Sequence, residues 1–138
     1  MRLWIGLTAA LLLAFPAAAG VDAASGRFDL DCQLQHTVKR HKVNVRRHLR
    51  VDLEGRRWCE DLCEQVGDLE ASADDVTLNA PPTPIGSATD RRVITLSRKS
   101  GRLRDEHKVT LNEDLVSVDV YFGPCRLRPY TGVNRHLF

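Results

Sequence analysis

Alternation with a period of two runs through most of the chain. Phe28, Leu30, Cys32 and Leu34 are interleaved with Asp29, Asp31 and Gln33. Val43, Val45, Leu49, Val51 and Leu53 share one parity, and Asn44, Arg46, His48, Arg50 and Asp52 the other. Val116, Val118, Val120 and Phe122 alternate with Ser117, Asp119 and Tyr121. Successive side chains of an extended chain point to opposite faces, so this pattern predicts half-buried strands with one wet face. Such strands belong to antiparallel sheets.

Turn signals divide these runs. Glu54-Gly55, Ser72-Ala73-Asp74, Lys99-Ser100-Gly101 and Asn112-Glu113-Asp114 each separate two strand candidates. Residues 79–90, with Pro81, Pro82, Pro84 and Gly86, read as the one true loop. Residues 60–65 could hold one helical turn. In the last hairpin, pairing Leu111 with Val116 also pairs Val109 with Val118 and puts all four on one face, so that register is expected. The result is an all-β fold: an up-and-down antiparallel meander of about eight short strands. A closed barrel is favoured over an open sandwich because closure removes exposed edges.

The first residues follow another pattern. Met1-Arg2 carries one positive charge, an apolar run extends from Leu3 to Phe15, and Pro16 precedes Ala17-Ala18-Ala19-Gly20. A charged start, a short apolar stretch and small residues at the exit make a secretory signal. The expectation is a signal over residues 1–19, with the cut after Ala19 or Ala23, and a single all-β domain over residues 20–138. The run is shorter than the ~20 residues a membrane-spanning helix needs. No later segment is apolar enough to cross as a helix. The expected location is periplasmic or secreted.

Export changes how the composition reads. Trp4 and Phe15 leave with the signal, so six of the eight aromatic residues remain. That thin supply argues against a large aromatic-lined ligand pocket. The formal net charge of +2 gives no reason to expect nucleic acid as a partner. Cys32, Cys59, Cys63 and Cys125 all lie in the mature part, and an even count in an exported domain points to two disulfides. Of three possible connectivities we favour Cys59–Cys63, which can meet in one tight turn, and Cys32–Cys125, which would tie the first strand to the last.

The pattern Phe28-x-Leu30-x-Cys32, Arg50-Val51-Asp52-Leu53, Trp58-Cys59-x-x-x-Cys63, Gly123-x-Cys125 and Tyr130-x-Gly132 resembles a group of short exported proteins of Gram-negative bacteria. The resemblance covers most of the mature chain. It implies a periplasmic or secreted location, and its mainly structural motifs carry over no catalytic residue.

Three features could carry chemistry. Cys59-x-x-x-Cys63 has one residue too many for the usual redox spacing, and Glu60, Asp61 and Glu64 beside it disfavour a thiolate. A structural disulfide is the better reading, and zinc would need two further ligands. The second feature is basic: Lys39, Arg40, His41 and Lys42 form the expected tip of the first hairpin, with Arg46, His48 and Arg50 along the outer face of the strand that follows. Lys39, Arg40, Lys42, Arg46 and Arg50 are the candidate residues for binding an anionic surface or an envelope protein. The alternative is a solvated hairpin whose charges resist edge pairing. The third feature is Asp105 with His107. Both share the inward parity of Leu103, Val109 and Leu111, as His36 and Arg47 do in the first hairpin. An inward Asp–His pair could serve acid–base chemistry. Against this, Asp105 could pair with Arg92 across the hairpin, and no nucleophile motif accompanies the pair.

The expected function is therefore non-enzymatic, with no catalytic residue, cofactor or metal: a small disulfide-stabilised β-domain that binds or builds in the cell envelope. One alternative is a periplasmic inhibitor of a wall-degrading hydrolase acting through residues 79–90. Another is a carrier with a small ligand inside the barrel. The last is a hydrolase built on Asp105 and His107.

Overall fold

A computed structural model describes residues 26–133. The expected signal segment and its cut lie outside the described residues. Within them the chain forms nine strands and no helix: β1 (Arg27–Val38), β2 (His41–Asp52), β3 (Arg57–Glu60), β4 (Val66–Ala71), β5 (Asp75–Asn79), β6 (Thr83–Ile85), β7 (Ala88–Ser97), β8 (Arg102–Leu111) and β9 (Asp114–Arg128). Every pairing is antiparallel. The sheet order is β5-β4-β3-β2-β1-β9-β8-β7-β6, and β5 also pairs with β7. Eight strands thus close into a barrel, and β6 is an extra strand on the upper end of β7.

Closure follows the expected route. β1 and β9 are neighbours, and Cys32 stands opposite Cys125 in their ladder, where the two are disulfide-bonded with Cα atoms 4.0 Å apart. Gly123 belongs to the same seam. A Cβ there would lie 2.0 Å from the Gln33 carbonyl oxygen, so only glycine permits the approach. Cys59 and Cys63 form the second disulfide and close the turn after β3. That segment is a turn and not the helical one that residues 60–65 could have formed.

The period-two pattern of β1 and β2 points inward as read. Leu30, Leu34, Leu49, Val51, Trp58, Leu69, Leu78, Ile94 and Leu103 form one buried cluster that fills the barrel. At roughly 1.5–3 kcal/mol per fully buried large apolar side chain, this layer is the main source of stability.

Two expectations are corrected. Residues 79–90 are not simply a loop: Thr83–Ile85 pairs with Ala88–Asp90 as a small hairpin, turning at Gly86 with φ of +61°. The last hairpin also has another register. Leu111 stands opposite Asp114, and a bulge between Val109 and Thr110 brings Val109 opposite Ser117 and Lys108 opposite Val118. The turn is only two residues, Asn112 and Glu113, both left-handed (φ 50° and 71°), as the favoured two-residue hairpin requires. Asp105 opposite Tyr121 then puts Tyr121 inside. Val116 (61% exposed), Val118 (43%) and Phe122 (45%) are left in solvent. A one-residue difference in register exchanges the two faces of a strand, and here it does so for β9.

The strands differ in height. The β1–β2 turn at Lys39-Arg40 and the β8–β9 turn at Asn112-Glu113 lie at the same end, because both hairpins flank the β1–β9 ladder, which ends at His36–Tyr121. Ala88 opposite Leu111 brings the β6–β7 turn to that end too. β3 stops at Glu60, opposite Leu49, and β4 and β5 have only six and five residues. The barrel rim is therefore a crown, tall along β1–β2 and β7–β9 and low along β3–β5.

Candidate functional site

The floor of the crown is polar, although its residues sit on inward-facing parity. Arg92 comes from β7, Asp105 and His107 from β8, Tyr121 from β9, His36 from β1, Arg47 from β2 and Glu60 from β3. Five of the seven lie two positions from an apolar core residue of the same strand, such as Leu103 before Asp105 and Leu49 after Arg47. The sheet thus carries them onto the layer above the core.

Asp105 is fully buried and is held by a two-pronged bond from Arg92, with Nε to Oδ1 at 2.8 Å and Nη2 to Oδ2 at 2.7 Å. Arg92 also donates to Glu60. Arg47 Nε lies 3.4 Å from Glu60 Oε1 and 3.7 Å from Asp105 Oδ2, so two guanidinium groups and two carboxylates alternate. His107 bridges the next pair, with Nδ1 2.9 Å from Asp90 Oδ2 and Nε2 3.4 Å from Asp105 Oδ1. Across the floor, the His36 ring stacks on Tyr121 at 4.5 Å, with Nδ1 3.0 Å from the Val120 carbonyl and Nε2 3.4 Å from Asp119. Arg47 lies over the Tyr121 ring.

Burial alone would raise the Asp105 carboxyl. The His107 and Arg92 contacts outweigh it and hold the group at about 2. For Arg92, burial works against the charge, and Asp105 and Glu60 more than restore it. His107 is raised above its ordinary value, by Asp105 first, against burial, with Asp90 adding to the rise. Asp105 is thus a carboxylate with its lone pairs already committed. It is suited to orienting Arg92 and His107 rather than to taking up a proton. Asp105 and His107 do meet, as their shared parity implied, and the Arg92 pairing weighed against them is also formed. Among the described residues no serine, threonine or cysteine side chain bonds to His107. Three buried polar atoms on this floor have no hydrogen-bond partner among the described residues: Arg47 Nε, His107 Nε2 and Asp90 Oδ1.

Beside the low wall an open cleft of about 360 Å³ is lined by Trp58, Glu60, Asp61, Leu62, Glu64 and Arg92 among others. A second, apolar cleft of about 260 Å³ lies at the opposite end, bounded by Phe28, Leu30, Leu53, Val76, Leu96 and Leu127. The buried cluster lies between the two clefts.

The basic residues separate into two sets. Lys39 and Arg40 form the left-handed two-residue turn of the β1–β2 hairpin (φ 45° and 72°), and Lys42 follows; all three are exposed. Arg46 and Arg50 serve the fold. Arg46 bonds Asp31 at 3.3 Å, and Arg50 donates to the Gly132 carbonyl at 3.2 Å. They belong to an outer-face assembly that sequence parity did not reveal. His48 sits between Asp31 (3.0 Å) and the fully buried Asp29 (3.1 Å), and Thr131 bonds Asp29 through both its amide and its hydroxyl. Asp31 is held below the usual carboxylate range, by His48 first and, against burial, by Arg128 and Arg46. Val133 packs on Cys59 and Cys63, so the segment after β9 is tied across the outside of β1–β3.

No family model matches the chain, and no curated protein or solved structure gives a significant match. The candidate site therefore rests on its geometry.

Proposed function

We propose that the protein is an exported binding domain of the cell envelope or extracellular space, and that it engages its partner with the crowned end of the barrel. One observation carries this reading. Three hairpins overshoot the barrel on the same side, and their ends hold the exposed apolar residues Val38, Val43, Ile85, Leu115 and Val116 together with Lys39, Arg40 and Lys42, which have no ion pair among the described residues. Exposed apolar residues gathered at one end mark an interaction surface more often than an ordinary solvated face. Export is supported by the N-terminal charged, apolar and small-residue pattern, by the resemblance to exported Gram-negative proteins, and by two disulfides, which are compatible with an oxidising compartment.

The experiment is a capture from envelope extract with wild type and with Lys39, Arg40 and Lys42 replaced by serine, alongside Leu115→Ser with Val116→Ser. Loss of the same captured protein in both variants is expected. Equal recovery in both would remove the crown as the binding end.

A second reading has its own support. The β6–β7 hairpin projects at the rim: Ile85 is 54% exposed, and nothing lies within 4 Å of the position a Cβ on Gly86 would take. A tip of this shape could enter the cleft of a wall-degrading hydrolase. Inhibition of a muramidase in a turbidity assay, lost in Ile85→Asp, is the corresponding test.

A further inference from the structure

We propose that the free upper edge of β2, residues 41–47, accepts an extended acidic peptide segment of a partner protein as an added strand. The inference rests on reading the crown as the binding end, and it names the mode and the chemistry of the partner.

β2 has twelve residues and β3 has four. The ladder between them runs only from Leu49–Glu60 to Asp52–Arg57. Just beyond it, the His48 carbonyl accepts the Asp61 amide at 3.0 Å. Backbone groups of alternate residues point to the same side of a strand. Lys42, Asn44 and Arg46 therefore direct their N–H and C=O groups toward the side of His48, where no strand follows among the described residues. Val43, Val45 and Arg47 direct theirs toward β1, and the β1–β2 register is continuous over all twelve pairs. The unpaired row spans about 13 Å at the usual rise. Such an edge is a template for strand addition.

The other open edges of the crown carry blunting devices. β6 is three residues long with Pro84 at its centre, and the upper end of β9 is interrupted by the bulge opposite Val109 and Thr110. The β2 edge has neither. What it has is charge. Lys39, Arg40 and Lys42 have no ion pair among the described residues, whereas Arg46 is paired to Asp31. These cations repel a basic strand and attract an acidic one. The two faces of the edge also differ: Val43 and Val45 line the inner face, and Lys42 and Asn44 the outer. The fitting segment alternates β-branched residues facing inward with acidic residues facing outward. Its acidic part belongs at the Lys42 end, because Asp61, bonded to the His48 carbonyl, stands at the foot of the gap.

The test uses the purified disulfide-bonded protein and a synthetic six-residue peptide that alternates aspartate with valine. Its counterpart with lysine for aspartate and a version with a central proline serve as controls. Amide hydrogen exchange is read by NMR. With saturating acidic peptide, exchange at Lys42, Asn44 and Arg46 should slow about tenfold or more, with no change at Val43 and Val45. Neither control peptide should protect these amides. Asn44→Pro removes one free donor without touching the β1 ladder and should abolish the protection. Serine at Lys39, Arg40 and Lys42, all exposed, should weaken binding about tenfold at low salt. The proposal is overturned if the acidic peptide binds without protecting these three amides, if the lysine peptide protects them equally, or if no peptide binds at millimolar concentration. In each case the envelope capture still reports on the crown: partner loss in the crown variants would leave the binding end standing with another mode of contact.

Discussion

The lower barrel and the crown are built from the same strands and obey opposite rules. Below Leu34, Leu49 and Leu103, every strand has two neighbours and inward positions are apolar. At that level β3, β4 and β5 come to their ends, and the next inward positions are Arg47, Glu60, Arg92, Asp105 and His107. The difference shows what sets the limit of the core. It is the height of the shortest strands, since an apolar layer is stable only where the wall around it is complete. Asp105, fully buried at the boundary, is compatible with that position because Arg92 meets both of its oxygens.

Four perturbations would break or sharpen the comparison. The largest effect is expected at the seam of the lower barrel. Replacing Cys32 and Cys125 by serine releases a loop of 93 residues and should lower the unfolding free energy by about 4–5 kcal/mol in the chain-entropy model. Denaturant melts would read it, and a loss below 1 kcal/mol would mean the barrel closes without the seam. Next comes the boundary layer. Arg92→Leu leaves Asp105 buried without its partner and should cost about 3–5 kcal/mol. Adding Asp105→Leu to it should recover much of that loss, and failure to recover would show that the layer needs its charges.

The third perturbation is acid. With Asp105 depressed from 3.8 to about 2, its ionised form contributes about 2 kcal/mol. That contribution is complete above pH ~3.8 and is lost as pH falls toward 2. Urea melts of wild type and Arg92→Leu between pH 5 and 2 should converge as pH falls. His107 has the opposite sign: its raised value contributes below pH ~6.5, and the contribution fades as pH rises through that raised value. The smallest effect belongs to the crown tips. Val116→Ser changes a side chain that is 61% exposed and should alter stability by no more than ~0.5 kcal/mol while reducing partner capture. A larger loss would show that the β9 tip is part of the fold rather than of the binding surface.

Most of the fold was legible in the chain. Alternation in β1 and β2 gave the inward faces, the turn residues gave the hairpins, and the cysteine spacing gave both disulfides. β9 was not legible, because Val116, Val118, Val120 and Phe122 alternate as cleanly as a core strand. The pattern records apolar residues, not which side will be covered, and a two-residue turn with a bulge reversed the side. β6 was missed because its prolines resemble loop chemistry and its three residues are too few to alternate. For the candidate site, shared parity brought Asp105, His107, His36 and Arg47 to one interior, and the Arg92 pairing was readable across one hairpin. Glu60 was not readable, since its strand is four residues long and meets Arg92 only when the barrel closes. The split of the basic residues was half hidden: Asp31, which takes up Arg46, lies across the β1–β2 hairpin, whereas Gly132, which takes up Arg50, becomes a neighbour of β2 only in the folded protein.

The sequence by itself determined an antiparallel all-β chain with two disulfides, since period, turn chemistry and cysteine count are local properties. Tertiary structure alone decided how tall each wall stands, which face of β9 is wet, and which charges are spent on the fold. Those follow from strand register and barrel closure, which join residues far apart in the chain and have no local signature.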